Sequence, residues 1–263
     1  MTTPHPLPPA IEAQTRGLPC DTDTVGMSSH TVLLYPDRVL KIGPVSAETD
    51  NELSMLRFLE GKLNVPRVLA QEESQGIRYL LCSRVEGRML FHPSLMANLH
   101  RVADLLAEAL HLLWAVPLMG CPDAMGLEGK LRLIGEALAR GEIDTDNVEP
   151  ATYGPDGFAS PEALYRWLRD NRPPETPVFT HGDLCMPNIL LQPDGTLAFI
   201  DLGRAAPADP WTDIALTWRS LKHNCNGIHG TYPGWTENLL FDALGIAPDP
   251  ERLRYYLLLD ELQ

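Results

Sequence analysis

The feature that most constrains this sequence is a pair of short apolar runs around one turn signal. Ile189–Leu191 and Leu197–Ile200 flank Pro193-Asp194-Gly195, and Asp-Gly between such runs predicts a β-hairpin. Asn188 precedes the first run and Asp201 follows the second. Because a hairpin brings its two ends together, we expect these two polar side chains to lie side by side.

The polar residues around this hairpin have the spacing of a phosphoryl-transfer site. A carboxylate and an amide oxygen are hard donors that suit Mg²⁺ when substrate phosphates complete its coordination. Four residues separate Asp183 from Asn188, as in the catalytic loop of protein kinases, and Asp201-Leu202-Gly203 takes the place of the kinase Asp-Phe-Gly. An ordinary hairpin with solvated ends would explain any one of these residues, but it explains the ordered set poorly.

The pattern resembles a known group of small-molecule kinases. His181-Gly182-Asp183, Asn188 and Asp201 match the aminoglycoside and choline kinase superfamily, which shares the protein-kinase fold. The longer run Phe199–Arg204, together with Trp211–Ala215, resembles the aminoglycoside 3′-phosphotransferases in particular. The resemblance implies transfer of the γ-phosphate of ATP to an aminoglycoside hydroxyl, in particular the 3′-hydroxyl, and hence antibiotic resistance.

The resemblance also implies an α+β fold of the protein-kinase type, with two lobes. We expect residues 1–86 to form the N-terminal nucleotide-binding lobe, a small antiparallel sheet with one helix. Residues 87–263 would then form a larger, mainly helical lobe for catalysis and aminoglycoside binding.

Apolar periodicity and turn residues predict the individual elements. Four prolines in the first nine residues predict an irregular start, with a short helical turn at Ile11–Arg16. In the first lobe we expect strands at Thr31–Tyr35, Arg38–Ile42, Val68–Ala70 and Ile77–Cys82, and a helix at Glu48–Glu60. In the second lobe we expect helices at Met96–Val116, Leu127–Ala139, Pro161–Arg169, Asp209–Leu221, Trp235–Leu244 and Pro250–Leu259.

Composition narrows the setting in which the chain works. No apolar run approaches the length of a membrane span, and the N-terminus lacks a signal-peptide pattern, so we expect a cytoplasmic protein. The five cysteines are an odd number without a Cys-x-x-Cys pair, which is atypical of a disulfide framework or a zinc site. The formal net charge of −14 argues against nucleic acid and anionic membranes as partners. That charge fits either plain solubility or a polycationic substrate.

The resemblance assigns catalytic roles to individual residues. Lys41, oriented by Glu52, would hold the α- and β-phosphates. Asn188 and Asp201 would hold Mg²⁺, and Asp183 would orient the acceptor hydroxyl and take its proton.

Nucleotide contacts are expected from the first lobe and from the hinge between the lobes, Ser83–Gly87. A Gly-Ser loop at Met27 and Ser28 would approach the phosphates through its backbone amides. Backbone groups of Ser83 and Val85 would bind the adenine edge. ATP is the donor that the resemblance implies. Val39 stands where the relatives carry an adenine-stacking tyrosine, and this departure leaves GTP open.

Acidic residues are expected to bind the ammonium groups of the substrate. Arg204 would lie on the substrate side and organise the carboxylates there. Gln263 replaces the terminal aromatic residue of the relatives, and His223 replaces one of their acidic contacts. The acidic residues named by the resemblance are Asp146, Glu149, Asp260 and Glu261.

Two other functions remain open at this stage. One is a kinase of the same fold for a different alcohol, such as a macrolide, choline or homoserine. The acidic tail, Asp260 and Glu261, argues against a neutral macrolide. The other is a non-catalytic nucleotide-binding module, against which the presence of all five catalytic residues argues. We expect a monomer or a weak dimer.

Overall fold

The computed structural model describes residues 7–22, 31–145, 148–226 and 230–263. Three of the residues assigned above, Met27, Ser28 and Asp146, lie outside these ranges. Their assignments therefore stay predictions.

The first third of the chain contains five strands: β1 (Asp21–Thr22), β2 (Thr31–Leu34), β3 (Arg38–Pro44), β4 (Val68–Ser74) and β5 (Ile77–Ser83). They form one antiparallel sheet with the order β1-β2-β3-β5-β4. The predicted strands Thr31–Tyr35 and Arg38–Ile42 are confirmed as β2 and β3, and Val39 and Lys41 share one face of β3 because they are two residues apart. Strand β4 is longer than the predicted Val68–Ala70, since the turn before β5 is only Gln75-Gly76, both with positive φ.

Two helices accompany this sheet. Helix α1 spans Pro9–Thr15, so the helical turn expected at Ile11–Arg16 is confirmed. The helix begins two residues earlier than predicted, because proline is compatible with the first position of a helix. Helix α2 spans Ala47–Leu59 and begins at a capping box between Ser46 and Thr49. Its buried face includes Glu52, so this glutamate is not on a solvated face.

Two small sheets follow, and one of them contains the predicted central hairpin. Strands β6 (Arg88–Met89), β8 (Ile189–Leu191) and β9 (Leu197–Phe199) form one sheet. Strands β7 (Val178–Thr180) and β10 (Ala206–Ala208) form the other. The register Ile189↔Phe199 confirms the β8–β9 hairpin.

The remaining chain is mainly helical. Its helices are α3 (Pro93–Met96), α4 (Leu99–Trp114), α5 (Leu127–Arg140), α6 (Pro161–Asp170), α7 (Trp211–Cys225), α8 (Leu239–Leu244) and α9 (Pro250–Asp260). Helix α4 lies in the hydrophobic core, and its leucines pack against α8 and β7 among others.

Three predicted helix boundaries are wrong. The single helix expected at Met96–Val116 is two helices, because the Asn98 side chain accepts a hydrogen bond from the Arg101 amide and caps α4. Helix α7 begins after Asp209, whose carboxylate accepts from the Trp211 amide. Helix α8 is shorter than expected, since Trp235 and Thr236 are not helical and Glu237 and Asn238 form a turn.

The proposed lobe boundary at residue 86 falls between β5, which ends at Ser83, and β6, which begins at Arg88. It remains a prediction. Across the described ranges, none of the helices has both the length and the apolar character that a bilayer crossing needs.

Candidate functional site

The strand lysine lies between two carboxylates. Lys41 Nζ is 2.5 Å from Glu52 Oε1 and 3.0 Å from Asp201 Oδ1. Burial alone would lower the pKa of Lys41, but the two carboxylates outweigh it and the pKa is raised. The structure therefore brings β3, α2 and the end of the β8–β9 hairpin together around one cation.

Asp201 stands at the far end of the hairpin in a left-handed backbone conformation, with φ of 65°. Partial burial raises the pKa of Asp201, but the nearby Lys41 ammonium outweighs this effect and holds the pKa below its ordinary value. The Ile200 amide donates to the Asn188 carbonyl at 3.1 Å. The two hairpin ends are thus adjacent, as predicted.

The loop before the hairpin is closed by Asn188. Its Nδ2 donates to the Asp183 backbone carbonyl at 2.9 Å and to Asp183 Oδ2 at 3.1 Å. Both amide hydrogens are used in this way, so the Asn188 Oδ1 atom is left as an acceptor. The Asp-x-x-x-x-Asn spacing seen in the sequence closes a loop with this hydrogen-bond pair.

Helix α7 holds the same loop with one of its faces. The buried Asp213 carboxylate accepts from the amides of His181 at 2.8 Å and Gly182 at 2.9 Å. One turn on, Thr217 Oγ1 donates to the Leu184 carbonyl at 3.0 Å. Ser220 Oγ then accepts from the Met186 amide at 3.0 Å. These three residues share a helix face at the spacing i, i+4, i+7; we call them the α7 brace.

His181 and Gly182 fix the start of the loop. Burial lowers the pKa of His181, and both ring nitrogens have hydrogen-bond partners. Nδ1 accepts from the Asp183 amide at 3.3 Å, and Nε2 donates to the Ile200 carbonyl at 2.9 Å. Gly182 has φ of +80°, and a Cβ there would lie 1.9 Å from the Arg204 carbonyl oxygen. Only glycine fits this crossing.

Asp183 is the carboxylate at the centre of the site. Burial raises its pKa to about 6 even though the Arg204 guanidinium opposes the shift. The neighbouring carboxylates of Asp260 and Asp201 raise it further. A carboxylate of this kind is ionised at neutral pH and more basic than an ordinary aspartate.

The acidic tail is largely paired with arginines. Asp260 contacts Arg219, and its other oxygen lies 3.4 Å from Arg204 NH1. Glu261 Oε1 lies 2.9 Å from Arg219 NH1. Its Oε2 accepts from the Glu149 amide at 2.7 Å and from the Thr152 hydroxyl at 3.3 Å. The tail therefore holds the loop that carries Glu149.

The outer residues of this region are placed differently from one another. Glu149 Oε1 lies 2.8 Å from His223 Nε2. The histidine that replaces an acidic residue of the relatives therefore contacts an acidic residue here. Gln263 is exposed and donates to the Leu259 carbonyl at 3.4 Å, which leaves it at the end of α9.

The backbone amides of the hinge after β5 differ in whether they already have a hydrogen-bond partner. The Ser83 amide donates to the Arg67 carbonyl at 2.8 Å, and Arg84 donates to Asp37 at 2.9 Å. Neither amide is thus open to a nucleotide base. In the part of the chain that the structure describes, the Val85 amide has no such partner.

Comparison with known proteins places the chain in a family. The model of the "Phosphotransferase enzyme family" matches residues 23–256. The chain belongs to this family. Among curated members, an aminoglycoside 3′-phosphotransferase of Enterococcus faecalis is 35% identical, with 82% of this chain and 79% of the relative covered. A streptomycin 3″-kinase of Streptomyces griseus is 31% identical, with 98% of this chain covered.

Solved phosphotransferases confirm the predicted two-lobed fold. The aminoglycoside phosphotransferase APH(3″)-Id from Streptomyces rimosus has a TM-score of 0.80 at 26% identity, with 96% of each chain covered. A structure of that enzyme in complex with ADP and streptomycin has a TM-score of 0.76.

One buried charged residue beside the catalytic loop of this phosphotransferase was not predicted from the sequence. Lys130 on α5 is buried, and its Nζ donates to the Gly182 carbonyl at 3.4 Å. Burial and the nearby Arg204 lower its pKa to about 8, although the carboxylates of Asp260, Asp213 and Asp183 oppose the shift. On the sequence, Lys130 reads as an ordinary polar position of an amphipathic helix, and only the docking of α5 places it here.

Proposed function

We propose that this phosphotransferase transfers the γ-phosphoryl group of ATP to a hydroxyl of an aminoglycoside and thereby confers antibiotic resistance. The observation that carries the proposal is the joint placement of Lys41, Glu52, Asp183, Asn188 and Asp201, in a chain that belongs to the family. A non-catalytic nucleotide-binding module would not need the α7 brace behind Asp183. We expect the reaction to take place in the cytoplasm.

The chemistry proposed for the site is positioning and charge neutralisation. Lys41, held by Glu52, binds the α- and β-phosphates. Asp183 orients the acceptor hydroxyl and takes its proton, for which a pKa of about 6 is suitable at neutral pH. Lys130 steadies the loop through the Gly182 carbonyl.

The donor set fits Mg²⁺. Asn188 Oδ1 and the second oxygen of Asp201 are hard donors on adjacent hairpin ends. In the described residues no three His, Cys, Asp or Glu side chains cluster into a metal site of their own. Asn188 and Asp201 would therefore hold the ion together with substrate phosphates. When bound, the ion would neutralise phosphate charge.

The hinge geometry refines the proposed nucleotide contacts. Because the Ser83 amide is engaged, we assign its carbonyl and the Val85 amide to the base edge. Val39 packs on the cleft side of β3, next but one to Lys41. ATP and GTP both satisfy this arrangement, so competition between the two nucleotides is the measurement that decides the preferred donor.

Substrate recognition is assigned to the acidic region near the tail. Asp260 and Glu149 are the proposed partners of substrate ammonium groups, and Asp146 is proposed from sequence alone. Glu261 uses both carboxylate oxygens on protein donors, so we assign it to positioning the Glu149 loop. Arg204 would hold Asp260 in place, and Gln263 lines the exposed end.

A substrate panel tests the proposal. The purified protein should phosphorylate kanamycin or streptomycin in a coupled ADP assay, and Asp183→Asn should lower the turnover at least about a hundredfold. Choline, homoserine and a macrolide serve as acceptors of the competing kinases, and turnover of one of these alone would overturn the proposal.

The modified hydroxyl is a separate question, because the curated relatives include both a 3′-phosphotransferase and a 3″-kinase. Phosphorus NMR of the product assigns the position. We propose the 3′-hydroxyl, and a streptomycin-only enzyme would instead indicate the 3″ class.

A further inference from the structure

A buried asparagine joins α2 to the segment that follows Asp201. Asn51 is 3% exposed. Its Nδ2 donates to the Gly203 carbonyl at 2.9 Å and to the Ala205 carbonyl at 2.8 Å. Both hydrogens of one side-chain amide are thus used on two carbonyls of the same short segment, far away in sequence.

Two more residues of the same turn of α2, Glu48 and Glu52, are linked to this segment. Glu48 Oε1 lies 3.4 Å from Arg204 Nε. A Cβ at Gly203 would lie 2.6 Å from the Glu48 side chain, so the segment approaches the helix too closely for a larger residue. Glu52 reaches Asp201 through the shared Lys41. Residues 201–205 therefore lie directly against one helical turn.

We propose that Asn51 is a positioning residue that fixes the Asp201 segment on α2 and so holds the metal-binding carboxylate in place. The left-handed backbone of Asp201 is an unfavourable conformation that persists only where its surroundings determine it. The two hydrogen bonds of Asn51 fix the peptide groups directly after that residue. This inference rests on the proposed role of Asp201 in holding Mg²⁺.

The Lys41 contact cannot replace this anchor. Lys41 binds the Asp201 carboxylate itself, which is the group that a metal would also need. Asn51 binds backbone carbonyls of Gly203 and Ala205, so its contacts do not depend on what the carboxylate binds. The segment can then stay in place with and without the ion.

The experiment measures how strongly Mg²⁺ enhances ADP binding, by calorimetry with Mg²⁺ or with EDTA. Asn51→Asp keeps the side-chain shape but replaces the donating NH₂ group with a carboxylate oxygen, which then faces the two carbonyl oxygens. The enhancement by Mg²⁺ should fall about 10–100-fold, as is usual when an outer partner of a metal ligand is lost. The affinity for ADP in EDTA should stay within about threefold of the wild type, since these contacts do not touch the base or Lys41.

A matched control is Asn64→Asp. The Asn64 amide also donates to a backbone carbonyl of the β8–β9 hairpin, that of Leu197 at 3.1 Å, but at the turn side of the hairpin. Its Mg²⁺ enhancement should equal that of the wild type. If Asn51→Asp does not fold, Asn51→Ala is measured in the same way.

Unchanged enhancement in a folded Asn51 variant would overturn the inference, and so would a wild type whose ADP affinity ignores Mg²⁺. The measurement needs no acceptor. A failure to phosphorylate aminoglycosides would therefore overturn the proposed substrate without affecting this test.

Discussion

Asp183→Asn should make the protein less active and more stable. The folded protein raises the pKa of Asp183 from 3.8 to about 6, so it disfavours the ionised carboxylate. This penalty is absent below pH 3.8 and complete above about pH 6. A shift of about two pH units corresponds to about 3 kcal/mol. Because Asp183 is partly open to the cleft, we expect a gain of about 1–3 kcal/mol in the free energy of unfolding at pH 8.

Urea unfolding in metal-free buffer at pH 4 and pH 8 measures this effect. Asparagine cannot ionise, so the stability difference between variant and wild type should be near zero at pH 4 and largest at pH 8. The matched control is Asp201→Asn. Lys41 holds the pKa of Asp201 below its ordinary value, so this variant should be less stable than the wild type at pH 8.

The reasoning fails if Asp183→Asn is no more stable than the wild type at pH 8, or if its gain is the same at both pH values. It also fails if the two asparagine variants shift stability in the same direction. Any of these three results would show that the folded protein does not disfavour the ionised carboxylate of Asp183.

The remaining predictions concern pH, the α7 brace and the tail. Below the Asp183 pKa of about 6, kcat/KM should fall about tenfold per pH unit because the protonated carboxyl cannot accept a proton; a flat profile from pH 5 to 8 in a coupled assay would contradict this. Asp213→Ala should lower the free energy of unfolding by about 1–3 kcal/mol by leaving two buried amides unpaired, and an unchanged urea midpoint would dismiss the brace. Glu261→Gln should raise the aminoglycoside KM about tenfold through the loosened Glu149 loop, at nearly constant ATP KM. Glu251→Gln, at the exposed start of α9, is the control and should change neither KM. Equal aminoglycoside KM values for the two variants would show that the tail has no role in substrate recognition.

The parts of the site that sequence predicts are those fixed by local chain geometry. The Asp-Gly turn determines the β8–β9 hairpin, and with it the adjacency of Asn188 and Asp201. Residue alternation along β3 places Val39 and Lys41 on one face. The Lys41–Glu52 contact came from the family resemblance, because nothing local relates a strand to a helix that packs beside it.

The parts that sequence missed depend on how distant elements dock. Thr217 and Ser220 are ordinary helix residues until α7 packs against the catalytic loop, and Lys130 is ordinary until α5 is buried. The split between α3 and α4 is a different kind of miss. Asn98 is a recognisable helix cap, but the unbroken apolar pattern on both sides concealed it.

The α7 brace has an evolutionary consequence. Four hydrogen bonds hold the loop of Asp183 on one helix face, whereas the residues proposed to bind the ammonium groups of the antibiotic lie on the Glu149 loop and at the chain end. The catalytic loop and the substrate-recognition residues can therefore change independently during evolution. A lineage exposed to a new aminoglycoside can change the contact between Glu149 and His223 and retain an unaltered phosphoryl-transfer apparatus behind it.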